Sequence, residues 1–305
     1  MGAGAAPLLY GIRMRRPRLL TPFLGTGVYR DEGPFGGRSG PIFYFVTMPL
    51  TLPRHPAAAL LAASTLIAAM PAAAQTAAAQ AAEHTLTGNL SLASEYRYRG
   101  IMQTDRRPAI QGGFDYSHAS GFYAGNWNSS ISWLNDSNDE VSAPIEMDFY
   151  AGFKNTFGGG KWNYDVGVLQ YYYPGDYPAN FTRPYTTEIY AGIGYGPVFL
   201  KYSYAPTNLF GFHDSKNSWY VDLAANVPLE FWGLTLNAHV GYQKVQNVAD
   251  ASYTDWKLGL TKDLGNGFAL AVAYIDTNAN RAVYTNARGR HMGRGTAWAS
   301  LTKTF

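Results

Sequence analysis

The chain contains no cysteine, which excludes disulfides and thiolate chemistry and leaves burial and hydrogen bonding to hold the fold. Beyond residue 74 no segment approaches eighteen consecutive apolar residues, so no helical membrane span is expected there. Charged residues make up only 15% of the chain, and aromatic residues an equal 15%, a high share for a soluble protein that suits aromatic girdles at two membrane interfaces. What the sequence has instead of long apolar runs is alternation. From Leu86 onward about twelve stretches of roughly ten residues alternate apolar with polar side chains, and the last runs to Phe305, the pattern of a transmembrane β-barrel.

The first stretch shows the two faces. Leu86, Gly88, Leu90, Leu92, Ser94, Tyr96 and Tyr98 share one side of an extended segment, while Thr85, Thr87, Asn89, Ser91, Glu95, Arg97 and Arg99 share the other. A soluble sandwich or lipocalin also alternates, with its apolar face inward, so alternation alone does not orient the face.

A targeting segment does orient it. From Met48 a weakly basic start with Arg54 and His55 leads into an apolar run from Ala57 to Met70 and then Pro71-Ala72-Ala73-Ala74-Gln75, a secretory signal peptide with small residues at its cleavage site. We therefore expect a signal peptide at 48–74, cleaved after Ala74, and a short linker at 75–83 before a barrel at 84–305. Residues 1–47, with six arginines and no lysine, have no place before a signal peptide and are expected to be an over-extended start or a disordered leader. Residues 1–74 hold seven of the 24 basic and two of the 21 acidic residues. The remainder carries 17 and 19, so the basic balance gives no warrant for nucleic-acid binding.

Further strands are expected near 107–118, 121–133, 144–154, 161–173, 184–195, 197–204, 217–226, 234–243, 252–262, 267–276 and 295–305. Alternate connections are long (100–106, 134–143, 174–183, 205–216, 244–251 and 277–294), whereas most of the others are as short as Ala119-Ser120 or Gly196 alone. Long outer loops, tight periplasmic turns and an even strand count are the architecture of a bacterial outer-membrane barrel. The expected fold is all-β: an antiparallel up-and-down transmembrane β-barrel of about twelve strands.

On that reading Tyr96, Trp133, Trp219 and Trp256 belong to an outer aromatic girdle, and Trp162 and Phe305 to a periplasmic one. The polar faces would line a lumen with Glu95, Arg97, Glu146, Asp148, Asp165, Glu188, Lys201, Asp222, His239 and Lys257. An acidic wall of Glu146, Asp148, Asp165 and Glu188 would face a more basic one of Lys201, Asp222, His239 and Lys257, a field that sets ion preference. The alternative is that these charges pair across strands and fill the lumen, since wide aqueous channels appear only at about sixteen strands or more.

The runs Ser94-Glu95-Tyr96-Arg97-Tyr98-Arg99-Gly100-Ile101, Pro108-Ala109-Ile110-Gln111-Gly112-Gly113-Phe114-Asp115-Tyr116 and Gly121-Phe122-Tyr123-Ala124-Gly125-Asn126-Trp127 resemble the TorF family of proteobacterial porins, once catalogued as a group of unknown function. The similarity continues through Tyr164-Asp165-Val166-Gly167 and Tyr173-Pro174-Gly175 to Leu301-Thr302-Lys303-Thr304-Phe305. It implies an outer-membrane barrel more firmly than a substrate. Glu95 stands where the family more often has Asp, and Lys303 where many such barrels have an apolar residue, leaving Leu301 and Phe305 to carry the assembly signal.

The expected function is a passive channel for small hydrophilic solutes or ions, with a non-conducting structural or surface-interaction barrel as the competing class. The expected partners are outer-membrane lipid and lipopolysaccharide, the barrel-assembly machinery acting on the strand ending at Phe305, and small polar solutes, with no nucleic acid. No cofactor and no enzyme activity are expected. His84, His118, His213, His239 and His291 show no metal-ligand spacing, and a hydrolytic triad at His239 and Asp222 would need a serine within reach. The acidic loop Asn135–Glu140 lacks the glycine and spacing of a calcium loop, and the basic loop with Arg281, Arg288, Arg290, His291 and Arg294 would face lipopolysaccharide phosphates. N-terminal sequencing of the membrane-inserted protein is expected to return Gln75 first; a product starting before Met48 would refute the assigned signal peptide.

Overall fold

The computed structural model describes residues 82–305. The expected leader at 1–47, the signal peptide at 48–74 and linker residues 75–81 lie outside the described residues. The elements are β1 (His84–Ala93), β2 (Arg97–Tyr98), β3 (Ile101–Met102), β4 (Ala109–His118), β5 (Phe122–Ser130), α1 (Trp133–Ser137), β6 (Ile145–Phe157), β7 (Trp162–Tyr172), β8 (Thr186–Tyr195), β9 (Val198–Ala205), β10 (Ser218–Pro228), β11 (Leu234–Lys244), β12 (Tyr253–Gly265), β13 (Phe268–Thr277) and β14 (Thr296–Thr304). All but β2, β3 and α1 join one closed antiparallel barrel of twelve strands, with each strand beside its neighbour in sequence. β1 closes the ring by pairing with β4 on one side and β14 on the other.

Connection lengths alternate. The segments 94–108, 131–144, 173–185, 206–217, 245–252 and 278–295 gather at one end, and the short turns 119–121, 158–161, 196–197, 229–233 and 266–267 at the other. At the tightest of these, Asn266 (φ 53°) and Gly267 (φ 76°) are both left-handed between paired Gly265 and Phe268, the mirror-image turn whose twist matches a two-residue hairpin.

Period-two alternation turns the apolar side chains outward. Leu90, Ile110, Phe149, Val166, Ile189, Leu200, Leu258 and Leu270 are all exposed on the outer wall, while Ser91, Gln111, Asp148, Asp165, Glu188, Lys201 and Thr302 are buried inside it. A wall apolar outside and polar inside is the reverse of a soluble barrel and suits immersion in lipid. Exposed aromatics collect at both rims. Tyr202, Trp219 and Tyr242 form a row with centroids 5.9 and 5.5 Å apart near the long-loop end, where Trp256 also meets Tyr274. Phe157, Trp162 and Tyr195 form another at the short-turn end, where Phe305 is also exposed.

Two of the expected girdle residues lie elsewhere. Tyr96 is 2% exposed and Trp133 begins α1, packed edge-on against Tyr173 at 5.7 Å. The cause is the same for both: the wall strand ends at Ala93 and β5 ends at Ser130, so each residue sits past the last wall position and turns into the barrel mouth. The expected strand through Arg99 is thereby shortened by six residues.

Inside the wall, tyrosines lie across glycines of the adjacent strand. Tyr123 is registered opposite Gly152 and Tyr190 opposite Gly167, and a Cβ at either glycine would come 2.6 Å from the facing hydroxyl. An aromatic ring laid over a bare backbone covers the ladder where no side chain can pack. Gly152→Ala is expected to lose about 1–3 kcal/mol of stability through overpacking, since the added Cβ would press on Val166 O of β7 as well as on the Tyr123 ring. Urea unfolding in lipid vesicles measures it, and an unchanged midpoint would show that both the ring and the β7 backbone give way freely.

Candidate functional site: the lumen and its inward hairpin

Past Ala93 the chain turns into the barrel rather than out of it. Ser94 still takes a backbone bond from its N–H to Ala299 O (2.8 Å), and Trp298 Nε1 donates to Glu95 O at 2.8 Å, which directs the next residues inward. There β2 and β3 form a two-residue hairpin, Arg97 opposite Met102 and Tyr98 opposite Ile101. Its tip is Arg99 (φ 45°) and Gly100 (φ 74°), both left-handed as a primed turn requires. Gly100 sits against Thr277 and Asp255 of the wall, where a Cβ would come within 2.9 Å of Asp255 Cβ, so the tip touches the barrel directly. A non-glycine residue in this conformation is strained by about 1–2 kcal/mol, and here it aims the Arg99 guanidinium across the lumen.

Arg99 donates from one nitrogen to Glu188 Oε2 on β8 (2.8 Å) and from the other to Gln243 Oε1 on β11 (2.6 Å). Its guanidinium also stacks 4.1 Å over the Tyr220 ring on β10. Tyr98 meets the Tyr171 hydroxyl at 2.5 Å, and Tyr96 donates to Glu146 at 2.8 Å. Arg97 pairs with Glu95 at 3.0 Å and donates to Met292 O at 2.9 Å, which ties the hairpin to the loop before β14. The hairpin thus spans the lumen from β6 to β13.

A second tier closes the long-loop mouth. Asp105 accepts from Arg288 and Arg290, each at 2.9 Å, and Asp136 accepts from Arg288 (2.8 Å), Arg107 (3.0 Å) and the Ser132 hydroxyl (2.7 Å). The acidic loop therefore binds arginine, and two of the arginines expected to meet lipopolysaccharide are held by carboxylates of the protein.

The expected lumen residues do converge on the interior. Glu146, Asp148, Asp165, Glu188, Lys201 and Asp222 are buried there, and His239 and Lys257 are half-buried on the same face. Glu95 and Arg97 also lie inside, but they arrive from the hairpin rather than from a wall strand. The picture of opposed acidic and basic walls needs correction. Glu188 is neutralised by Arg99, and His239 is clamped between Asp222 (2.6 Å) and Asp255 (2.7 Å), so the β9–β12 wall carries its own carboxylates. Both His239 nitrogens face carboxylates, which leaves neither for a serine and removes the triad geometry. The Tyr220 hydroxyl also donates to Asp255 (3.0 Å), while the Lys201 ammonium rests 3.8 Å from the Tyr190 ring centre.

Arg99 and Asp255 were not singled out by sequence reasoning. Asp255 follows the alternation of β12 and was findable from register. Arg99 was assigned to the right face of the wrong element; the Arg99-Gly100 pair between short apolar-polar repeats was the available turn signal.

Two small cavities interrupt the packed interior. One, between the hairpin and the long loops, is lined by aromatic and apolar groups including Tyr98, Trp133, Phe210, Tyr253 and Met292. The other, toward the short turns, is lined by Ser91, Gln111, Asn237, Lys257, Thr261 and Thr302 among others.

Residues 77–305 match the family described as bacterial protein of unknown function (Gcw_chp). No curated protein matches the sequence. Among solved structures, an outer-membrane channel from Pseudomonas putida F1 is similar at 12% identity and a TM-score of 0.43, covering 72% of this chain and 95% of that one. OccAB3 of Acinetobacter baumannii gives 9% and 0.36, and the chain spans 65% of its length, less than two thirds, while covering 74% of this chain. An anion-selective porin from Comamonas acidovorans gives 9% and 0.34, covering 73% of this chain and 99% of that one. Similarity at this level is confined to the barrel architecture.

Removing Glu188 would leave the Arg99 charge buried without its carboxylate. Glu188→Ala is expected to destabilise the barrel by about 3–5 kcal/mol. An accompanying Arg99→Ala should restore part of the loss in vesicle unfolding, and additive losses would mean that the two groups are not coupled.

Proposed function

We propose that this chain, which belongs to the Gcw_chp family of bacterial proteins, is an outer-membrane porin-type barrel, a narrow channel for small hydrophilic solutes or ions that is closed by its own hairpin. The carrying observation is a polar lumen inside an apolar wall, crossed near its long-loop end by Arg99, with one cavity among the loops and another toward the turns. A pore of twelve strands is narrow, and a paired arginine across it leaves passage to small polar species once the hairpin shifts. The TorF resemblance, the signal peptide at 48–74 and the exported location belong to the same reading. So do lipid and lipopolysaccharide around the wall and assembly through the strand ending at Phe305. The short-turn end then faces the periplasm.

A second reading has specific support. The hairpin is buried and bonded to Glu146, Tyr171, Glu188 and Gln243, and the mouth is tied by Asp105 and Asp136, as in a barrel whose lumen is permanently filled. Planar-bilayer recording separates the two. The channel reading expects small, rare openings in the native protein and larger or longer ones in Arg99→Ala. No discrete openings in either protein would defeat it and leave the filled barrel.

A further inference from the structure

At the short-turn end β1 runs past the end of β14 and is paired there with β4. Pairing of β1 with β14 begins at Asn89, whereas its pairing with β4 continues through Thr87, Leu86 and Thr85 to His84 opposite His118. The two imidazoles lie side by side with ring centres 5.0 Å apart. Glu83 joins them, its Oε1 3.4 Å from His118 Nε2. One donor atom from each of Glu83, His84 and His118 lies within 4.8 Å of the others.

The outer surroundings orient these donors. His84 Nδ1 is hydrogen-bonded to the Tyr116 hydroxyl at 2.8 Å, and His118 Nδ1 to the Ser120 hydroxyl at 2.7 Å. The Tyr116 hydroxyl on Nδ1 of His84 leaves Nε2 of that ring to ligate, whereas His118 Nδ1 also accepts from the Ser120 N–H (3.1 Å), which puts the ring proton on Nε2 facing Glu83; ligation by His118 Nε2 moves that proton to Nδ1, where the Ser120 hydroxyl can accept it as an outer hydrogen bond. Glu83 and His84 are exposed and His118 is half-buried, so an ion could enter from solvent and keep water in its remaining position.

We propose that Glu83, His84 and His118 form a binding site for a divalent transition-metal ion of the zinc class. Two imidazoles and one carboxylate make the donor set of open three-ligand zinc sites. Binding needs a contraction of the cluster by roughly 1–1.5 Å to bring the donors to zinc–nitrogen distances of about 2.0–2.1 Å, within reach of exposed side chains on a fixed hairpin. The ion would fasten the chain at residue 83 to the β4 rim, at a place remote from Arg99 and independent of whether the lumen conducts. Spacing conceals the site in the sequence: His84 and His118 are 34 positions apart, and only the β1–β4 register sets them opposite one another.

Titration of tag-free, full-length protein in detergent micelles with Co²⁺ alone is expected to give one equivalent of saturable visible absorption, displaced by Zn²⁺. His84→Ala and His118→Ala should each weaken binding more than tenfold, and Tyr116→Phe by roughly tenfold through loss of the orienting hydroxyl. If a variant fails to fold, protection of His84 and His118 from diethyl pyrocarbonate by Zn²⁺ in the native protein, read by peptide mass spectrometry, provides the same test. Absence of saturable binding, unchanged binding in the double histidine variant, or no protection would overturn the proposal and leave an exposed Glu83–His118 hydrogen bond.

Discussion

The charge of Arg99, buried inside the barrel, is the constraint around which the interior is arranged. A guanidinium taken out of bulk water must meet a carboxylate and further acceptors or be expelled. Glu188 and Gln243 answer it from two strands, with Tyr220 beneath its face. Tyr171, which donates to Glu188 at 3.3 Å, is also in contact with the Tyr98 hydroxyl. The same guanidinium thereby fixes the hairpin that presents it and the side chains that receive it.

From that pairing the polarity of the chain sorts by depth. Above the hairpin, aromatic rings from several loops share a cavity with Trp133 of α1. Below it, short polar side chains and small residues line a second cavity toward the turns. The mouth is stabilised by half-exposed arginines on buried carboxylates, contacts that salt weakens more than it weakens the pair at Arg99. A barrel built this way is layered: a stiff wall, a specific inner pairing, and an outer network more easily rearranged.

The wall was legible because it depends on local period. That Leu90 and Ser91 lie on opposite faces follows from a pleated strand whatever its neighbours are, and twelve such segments with alternately long and short connections admit one simple closed order. Lumen charges on wall strands, such as Asp165, Lys201 and Asp222, were placed for the same reason. The first stretch misled because alternation continues from Ala93 into Arg99 without a break in pattern, and a two-residue hairpin has the same period as the strand it leaves. Tyr96 and Trp133 were misplaced with it, since a tyrosine or tryptophan suits a lipid rim and a buried mouth equally well.

By itself the sequence determined the antiparallel wall, the number of its strands and which side chains face inward, because these depend on a period of two and on turn chemistry. Only the tertiary structure decided how the interior is occupied. That Arg99 meets Glu188 and Gln243, that His239 lies between Asp222 and Asp255, and that His84 faces His118 all depend on register and on the fold of one long connection. Such contacts join residues far apart in the chain, and no local pattern encodes which distant partner a charged side chain will reach.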